Sequence, residues 1–335
     1  DYIVYNTREG MKDPGQWYLD RTCGKAVYRP KPGEDMKKLS VSVPVLELLL
    51  TAKDVKNLTL DGLAFTGTTP PLMRAGFAGL DLPGAVQFSG SSDGLRLENL
   101  SFFFTGGTAL QVNGAPGGRV AACRFTDIGG VGARVSGDRL EFVSNRIERV
   151  GVQYPSACGA SVGGEKAHVW RNTVTDGPYS GILAGGVGAV YEENRIARVM
   201  RLLSDGAAFY GGYNRCTFRN NLIEDIKTVG GGYGGNGLYN DEGGFGNLFE
   251  GNVTVDVPIP FHMHMTRGNV LRNNTFIIHG DATLSFQNSI ETVFEGNRVY
   301  YGEKYRVVSP EAISVWQDNV FFGPFGSQSE PKPEA

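Results

Sequence analysis

An all-β solenoid, a parallel β-helix of about ten coils entered through an N-terminal β-hairpin, is the fold class this sequence predicts. The first observation behind it is a repeat. Segments of the form apolar-x-x-Asn-x-apolar recur with the Asn at positions Asn99, Asn145, Asn172, Asn194, Asn221, Asn252, Asn274, Asn297 and Asn319. Cys123, in VAACRF, and Gly62, in LTLDGLAF, fill two further slots, and the base step is about 22 residues. The second is composition: the units are rich in β-branched and aromatic residues, are punctuated by Gly and Asn, and show no amphipathic helix of useful length. The third is the glycine content, 48 of 335 residues, as expected of a chain that turns several times per coil. Short strands that stack on the next coil give a parallel β-helix. An Asn at a tight bend tolerates left-handed backbone angles and passes an amide hydrogen bond to its counterpart about 4.8 Å away.

Taken in order, residues 1–50 stand apart from the ladder. WYLD and KAVYRP read as two strands around a polar, Gly-containing turn, followed by a Pro-Gly loop. The β-helix is assigned to 51–323 and a polar tail to 324–335, disordered or a short cover over the last coil. Between Gly62 and Asn99 lies TTPPLMRAGFAGLDLPGAVQF, a long loop and a candidate cleft wall. Three later steps are expanded: by VGVQYPSACGASVGGEK before Asn172, by ARVMRLLSDGAAFYGGYN before Asn221, and by KTVGGGYGGNGLYNDEGG before Asn252. Expansions confined to neighbouring coils protrude side by side and build one local feature, whereas neutral loop drift scatters. The coils from Asn274 to Asn319 read as plain scaffold.

The formal net charge of −3, with no basic run, excludes a nucleic-acid partner, and no run of 18 apolar residues suggests a membrane span. The four cysteines show no paired spacing and read as buried free thiols, with neither a disulfide framework nor a metal site. The sequence opens at Asp1 in the strand-like DYIVYN without an initiating Met or signal peptide, which is read as processing, trimming or a missing N-terminal part. A secreted or periplasmic location is favoured, and the oligomeric state is left open.

Chemistry-bearing residues gather in the expanded coils. Acidic groups recur at Asp176, Asp205, Asp241 and Glu242. Aligning SGILAGG, DGAAFYGG and NGLYNDEGG on a shared Gly places Gly185, Tyr210 and Asp241 in one column. In FHMHM, Phe261, Met263 and Met265 should face the core, and His262 and His264 should face out. Two registers compete. One turns Leu238 and Asn240 in and Tyr239 and Asp241 out; the other sets Glu242 level with His264. The first is preferred because it avoids burying Asp241. Tyr154, Tyr179, Tyr210, Tyr233 and Tyr239 add aromatic faces suited to sugar rings or to a protein patch. His168 and His279 read as structural.

GQWYLDRTCGKAVYRPKPGEDM, then VPVLELLL and the Asn ladder, resembles the right-handed parallel β-helix proteins of the carbohydrate-active class. SDGAAFY, GLYNDEGG and FHMHM resemble their DGGAIY, GIYLDEG and F-H-x-H segments, although Asn240 stands where an apolar residue is common. Members include β-xylosidases, lacto-N-biosidases and α-L-fucosidases, and the repeat also serves lyases, epimerases and fructotransferases. The resemblance implies a pair of catalytic acids on one exposed sheet: Asp241 with Glu242 or Asp205. Together with the residues it gives three expectations. The first is a retaining glycoside hydrolase without a cofactor, acting on oligo- or polysaccharide, with Asp241 as nucleophile, Glu242 or Asp205 as acid/base, and His262, His264, Tyr179, Tyr210, Tyr239 and Asn240 shaping the substrate site. The second is a polysaccharide lyase, calcium-assisted, drawing a base from Lys227, Arg201 or Arg267. The third is a non-catalytic carbohydrate-binding solenoid.

Overall fold

The alternation of apolar and polar residues in each short segment fixes what the chain does. One face of every strand must be buried, and stacking coil upon coil buries it without a sheet partner from elsewhere. The computed structural model describes residues 4, 6–227, 229, 233–324, 326–329 and 332–333. Contacts divide the chain into two units, Asp1–Val43 and Pro44–Ala335. In the first, Trp17–Asp20 pairs antiparallel with Lys25–Tyr28, the hairpin expected from WYLD and KAVYRP.

The second unit is a parallel β-helix with three sheets, each taking one short strand per coil. One eleven-stranded sheet runs from Thr59–Asp61 to Ile313–Gln317, and a twelve-stranded sheet starts at Ala64–Thr66. The other eleven-stranded sheet, here the site sheet, runs from Leu50–Lys53 to Tyr305–Val308. Helix is limited, among the described residues, to the 3₁₀ turns Phe77–Gly79 and Pro310–Ala312. Inward side chains form stacks along the axis. Phe65, Phe102 and Phe125 stack at centroid spacings of 5.2 and 4.9 Å, and Tyr191, Phe218 and Phe249 at 4.7 and 5.2 Å. These spacings are the inter-strand distance itself, so each ring gains an offset-stacked partner at no cost in backbone geometry. Within the tail, Gly326–Ser329 pairs antiparallel with Val320–Gly323 at the last coil.

The Asn ladder is present. From Asn145 to Asn319 each Nδ2 donates to the Oδ1 of the next coil's Asn at 2.9–3.1 Å. That Oδ1 also accepts the backbone N–H of the Asn one coil earlier. The amides are therefore buried and fully committed; removing one orphans a buried N–H, a loss of roughly 1–3 kcal/mol. The left-handed backbone, however, belongs to the residue before the ladder. Gly62, Asn99, Ala122, Ser144, Arg171, Glu193, Asn220, Gly251, Asn273, Gly296 and Asp318 all have positive φ. Gly62 and Asn99 belong to this exposed or half-exposed column, and Leu63 and Leu100 occupy the ladder slots in the first coils. The two slots were thus displaced by one residue, because Asn suits both a left-handed bend and an amide stack. A second, shorter ladder joins Cys216, Asn247 and Asn269 at another corner.

Cys123, Cys158 and Cys216 are buried free thiols, but Cys23 is exposed. All three expanded steps open at one corner, between the twelve-stranded sheet and the site sheet, preceding Ala160–Gly163, Gly206–Gly211 and Gly235–Asn240. The long loop before Gly84–Ser89 leaves from the same corner. Thr228 and Gly230–Gly232, within the third expansion, lie outside the described residues.

Candidate active site

The site sheet runs Ile182–Ala184, Gly206–Gly211, Gly235–Asn240 and Ile259–Met263 side by side. Tyr210 pairs with Tyr239, Tyr239 with His262 and His262 with Ser285. Close stacking has a local requirement at Gly237, where a Cβ would stand 2.4 Å from the Pro260 carbonyl oxygen. The preferred register is the one adopted. Leu238 and Asn240 turn inward, and Asp241 stands beyond the strand end, level with His264. The proposed column of Gly185, Tyr210 and Asp241 is not formed. Tyr210 is level with Leu183 and Tyr239, so the alignment was two residues out. A slip of two keeps every side chain on its own face, which is why the inward and outward assignments survived it.

Three donors converge on Asp241. Its Oδ1 lies 2.8 Å from His264 Nδ1 and accepts the Glu242 N–H at 3.0 Å. Its Oδ2 accepts the Tyr210 hydroxyl at 2.9 Å. The carboxylate is thereby aimed as well as held. Burial and the Asp241 charge keep the Tyr210 and Tyr239 hydroxyls protonated, far above the usual phenol range. Burial and the Asp205 charge push Tyr179 up to about 12. Asp205 itself, at positive φ on the turn before Gly206–Gly211, is exposed and held by its backbone N–H to Gly234 O. Although the residue as a whole is exposed, its carboxyl is partly desolvated and is raised above the ordinary range, first by that desolvation and next by the Asp241 charge; a hydrogen bond with Tyr239 and the nearby His264 oppose this. The two acids therefore sense each other and differ in environment. Glu242 is exposed at the groove edge, with its backbone N–H rather than its carboxylate on Asp241.

His262, expected to face out and shape the substrate site, is instead covered by the aromatic cluster and only 4 % exposed, with Nδ1 2.7 Å from Ser285 Oγ and its ring edge-on to Tyr239. Tyr233 tilts against both His262 and His264. Burial, then the neighbouring His264, pushes the His262 imidazole down to about 4. Unfolded, it titrates near 6.5, so its contribution is complete above that pH and is lost as pH falls from about 6.5 to about 4. Asp205, raised, acts with the opposite sign. Urea unfolding at pH 7 and pH 4.5 is expected to show the wild type losing about 2 kcal/mol more between the two than His262→Gln, with Asp205 common to both. Equal losses would remove His262 from the acid sensitivity.

Several expectations need correction. Asn240 is fully buried, and its amide serves Gly211 O, Tyr213 O, Asn247 and Asn269, so it supports the strand from within and does not reach the outer face. Met265 is 52 % exposed at positive φ, because the strand ends at Met263 and the alternation stops with it. Asp176 is taken by Arg198 through two hydrogen bonds. Of the cations considered as a lyase base, Arg201 pairs with Asp225 and Arg267 covers Phe245. His168 pairs with Glu192 and His279 with Asp256, as structural residues would.

A groove of about 540 Å³ runs along the outer face of the site sheet and ends at Tyr210, Asp241 and Glu242. Its wall includes Phe77 and Leu80 of the long loop, as expected of that loop, and Arg134 and Ser161 lie farther along. Phe77 meets Tyr179 and Tyr210 edge-on. Tyr154 reaches from the first expansion to the Pro71 carbonyl and ties the loop down. Phe77, Arg134 and Ser285 were not singled out from the sequence; Ser285 alone had a signal, one period after His262.

The profile of the family described as Right handed beta helix region matches residues 84–254. No curated protein is a significant match. A solved structure named "Glycoside hydrolase" superposes with a TM-score of 0.61 at 18% identity, over 95% of this chain and 58% of that one. The chain thus spans little more than half of that structure. DFA-IIIase from Arthrobacter chlorophenolicus A6, without its lid, gives 0.47 at 13% identity, over 71% and 66%. At these identities the likeness is one of fold.

Proposed function

The chain belongs to the right-handed β-helix family, and from the acids mounted on its site sheet we propose that it is a glycoside hydrolase acting with retention on an oligo- or polysaccharide. The observation that carries this is the convergence of His264, Tyr210 and the Glu242 N–H on Asp241, at the end of a groove and within electrostatic reach of Asp205. Glycoside hydrolysis asks for two carboxyl groups kept in different protonation states. Asp241, oriented by three donors, is the nucleophile. Asp205, with its raised carboxyl, is the acid that protonates the leaving oxygen and then the base that activates water. Phe77 and Tyr210 line the groove and offer aromatic surface to sugar rings, with Tyr239 buried behind Tyr210 as its support, and the name of the superposed structure agrees with such a substrate. The chain's use of Asp205 in place of Glu242 rests on Asp205's environment, since Glu242 contributes only its backbone.

The test is a panel of aryl glycosides and oligosaccharides, assayed with and without chelator. New reducing ends are followed, and the anomer formed first is read by NMR. Reducing ends of retained configuration support the proposal. Inverted product would reassign Asp241 as a base for water, and a product absorbing in the ultraviolet would mean elimination. Binding without any product would leave a carbohydrate-binding solenoid.

A further inference from the structure

Arg134 stands in the groove wall on the strand Ala133–Ser136, in the outward column that continues through Ser161, Leu183 and Tyr210 to Tyr239. Four strand-to-strand steps, through three intervening strands, separate its rung from that of Gly235–Asn240, which places it roughly 19 Å along the axis from Asp241. That length is spanned by several linked pyranose rings. Arg134 is half-buried, and one guanidinium nitrogen, Nη1, donates to the Leu80 carbonyl at 2.6 Å. This bond uses little of its five-donor capacity. Among the described residues no carboxylate lies within ion-pair distance of it, whereas most outward arginines of the coils, such as Arg119, Arg124, Arg149, Arg171 and Arg195, are paired with acids. It is the cation of a groove whose other charged residues are Asp241 and Glu242, at the far end. Ser161 and Asn113 flank it as neutral polar groups.

Resting on the glycosidase reading, we propose that Arg134 is a distal subsite for an anionic sugar, so that the substrate is an acidic oligo- or polysaccharide cleaved several residues from a carboxylate or sulfate group. The arrangement separates the two charge requirements. Asp241 and Asp205 would repel an anion at the reacting bond, and the arginine accepts one well away from them. A planar guanidinium suits bidentate pairing with either carboxylate or sulfate oxygens. The chemistry at Arg134 is the same for both, and the substrates distinguish them.

The experiment compares neutral, uronate-containing and sulfated oligosaccharides of matched length, in the wild type, Arg134→Gln and Arg134→Lys. Cleavage is measured as kcat and KM; binding is measured calorimetrically on Asp241→Asn backgrounds. The wild type should prefer one acidic class over the neutral chain by about tenfold to a hundredfold. Arg134→Gln should abolish that preference, chiefly through KM, and Arg134→Lys should keep part of it. The thermal midpoints of both variants report whether the Leu80 tether was lost instead. Equal handling of neutral and acidic chains by the wild type, or a preference that survives Arg134→Gln in a folded protein, overturns the subsite. The binding arm reads Arg134 even if no glycoside is cleaved, so failure of the hydrolase reading and failure of the subsite remain distinct.

Discussion

Asp241→Asn is expected to lower kcat/KM on any cleaved glycoside by about a thousandfold or more, with the fold intact. The substitution is isosteric, so the backbone and the neighbouring Tyr210 and His264 keep their places. What changes is the hydrogen-bond inventory. Asp241 accepts from His264 Nδ1, from the Glu242 N–H and from the Tyr210 hydroxyl. An amide has one acceptor oxygen and a donor NH₂, so at least one of these partners then faces another donor. More important, an amide cannot form a glycosyl-enzyme ester. A small external nucleophile such as azide should restore turnover on activated aryl glycosides, with the product anomer inverted relative to the native one. If Asp241→Asn keeps more than about a tenth of wild-type turnover, Asp241 is not the nucleophile.

The second large effect should depend on the leaving group. Asp205→Asn is expected to cost about a hundredfold to ten-thousandfold on oligosaccharides, whose departing alkoxide needs a proton, and far less on aryl glycosides with acidic phenols. The pH dependence separates this from a structural loss. An acid catalyst must be protonated, and burial with the Asp241 charge raises the Asp205 carboxyl. The wild-type activity therefore persists to higher pH than an ordinary Asp would allow and falls as pH rises through that raised value. In Asp205→Asn this alkaline limb should vanish. A uniform loss across all leaving groups, with the limb unchanged, would remove Asp205 from the chemistry and return attention to Glu242.

The scaffold was legible because a solenoid writes its period into the chain. Asn145 to Asn319 could be aligned without any coordinates, since each coil needs one amide at the same corner. The errors share a physical origin. Asn99 and Gly62 were placed in the ladder because a left-handed bend and a buried amide stack select overlapping residue types, and only the turn geometry tells them apart. Tyr210 was set beside Asp241 because side-chain alternation has a period of two, and nothing local distinguishes a register from the one two residues away; the length of the preceding turn decides it. The pairing of Asp241 with an outward His264 was accessible from FHMHM and GLYNDEGG once the direction of Leu238 was chosen. Asn240 was misassigned because a polar residue next to a catalytic candidate reads as part of the site, while its real partners, Asn247 and Asn269, belong to a ladder that no regular spacing announced. Arg134 was invisible for a different reason: its relation to Asp241 exists only after three intervening rungs have been stacked.

The left-handed corner that precedes the amide ladder has a practical reach of its own. Its occupants are mostly solvent-facing and lie on a different part of the coil from the groove, yet several, such as Ala122 and Ser144, are residues that pay roughly 1–2 kcal/mol for that backbone where glycine does not. The protein therefore carries a row of tuning pegs, one per turn of the spiral. Tightening them toward Gly or Asn would raise heat tolerance in steps and leave substrate recognition alone, which makes the catalytic wall and the durability of its support separately adjustable properties.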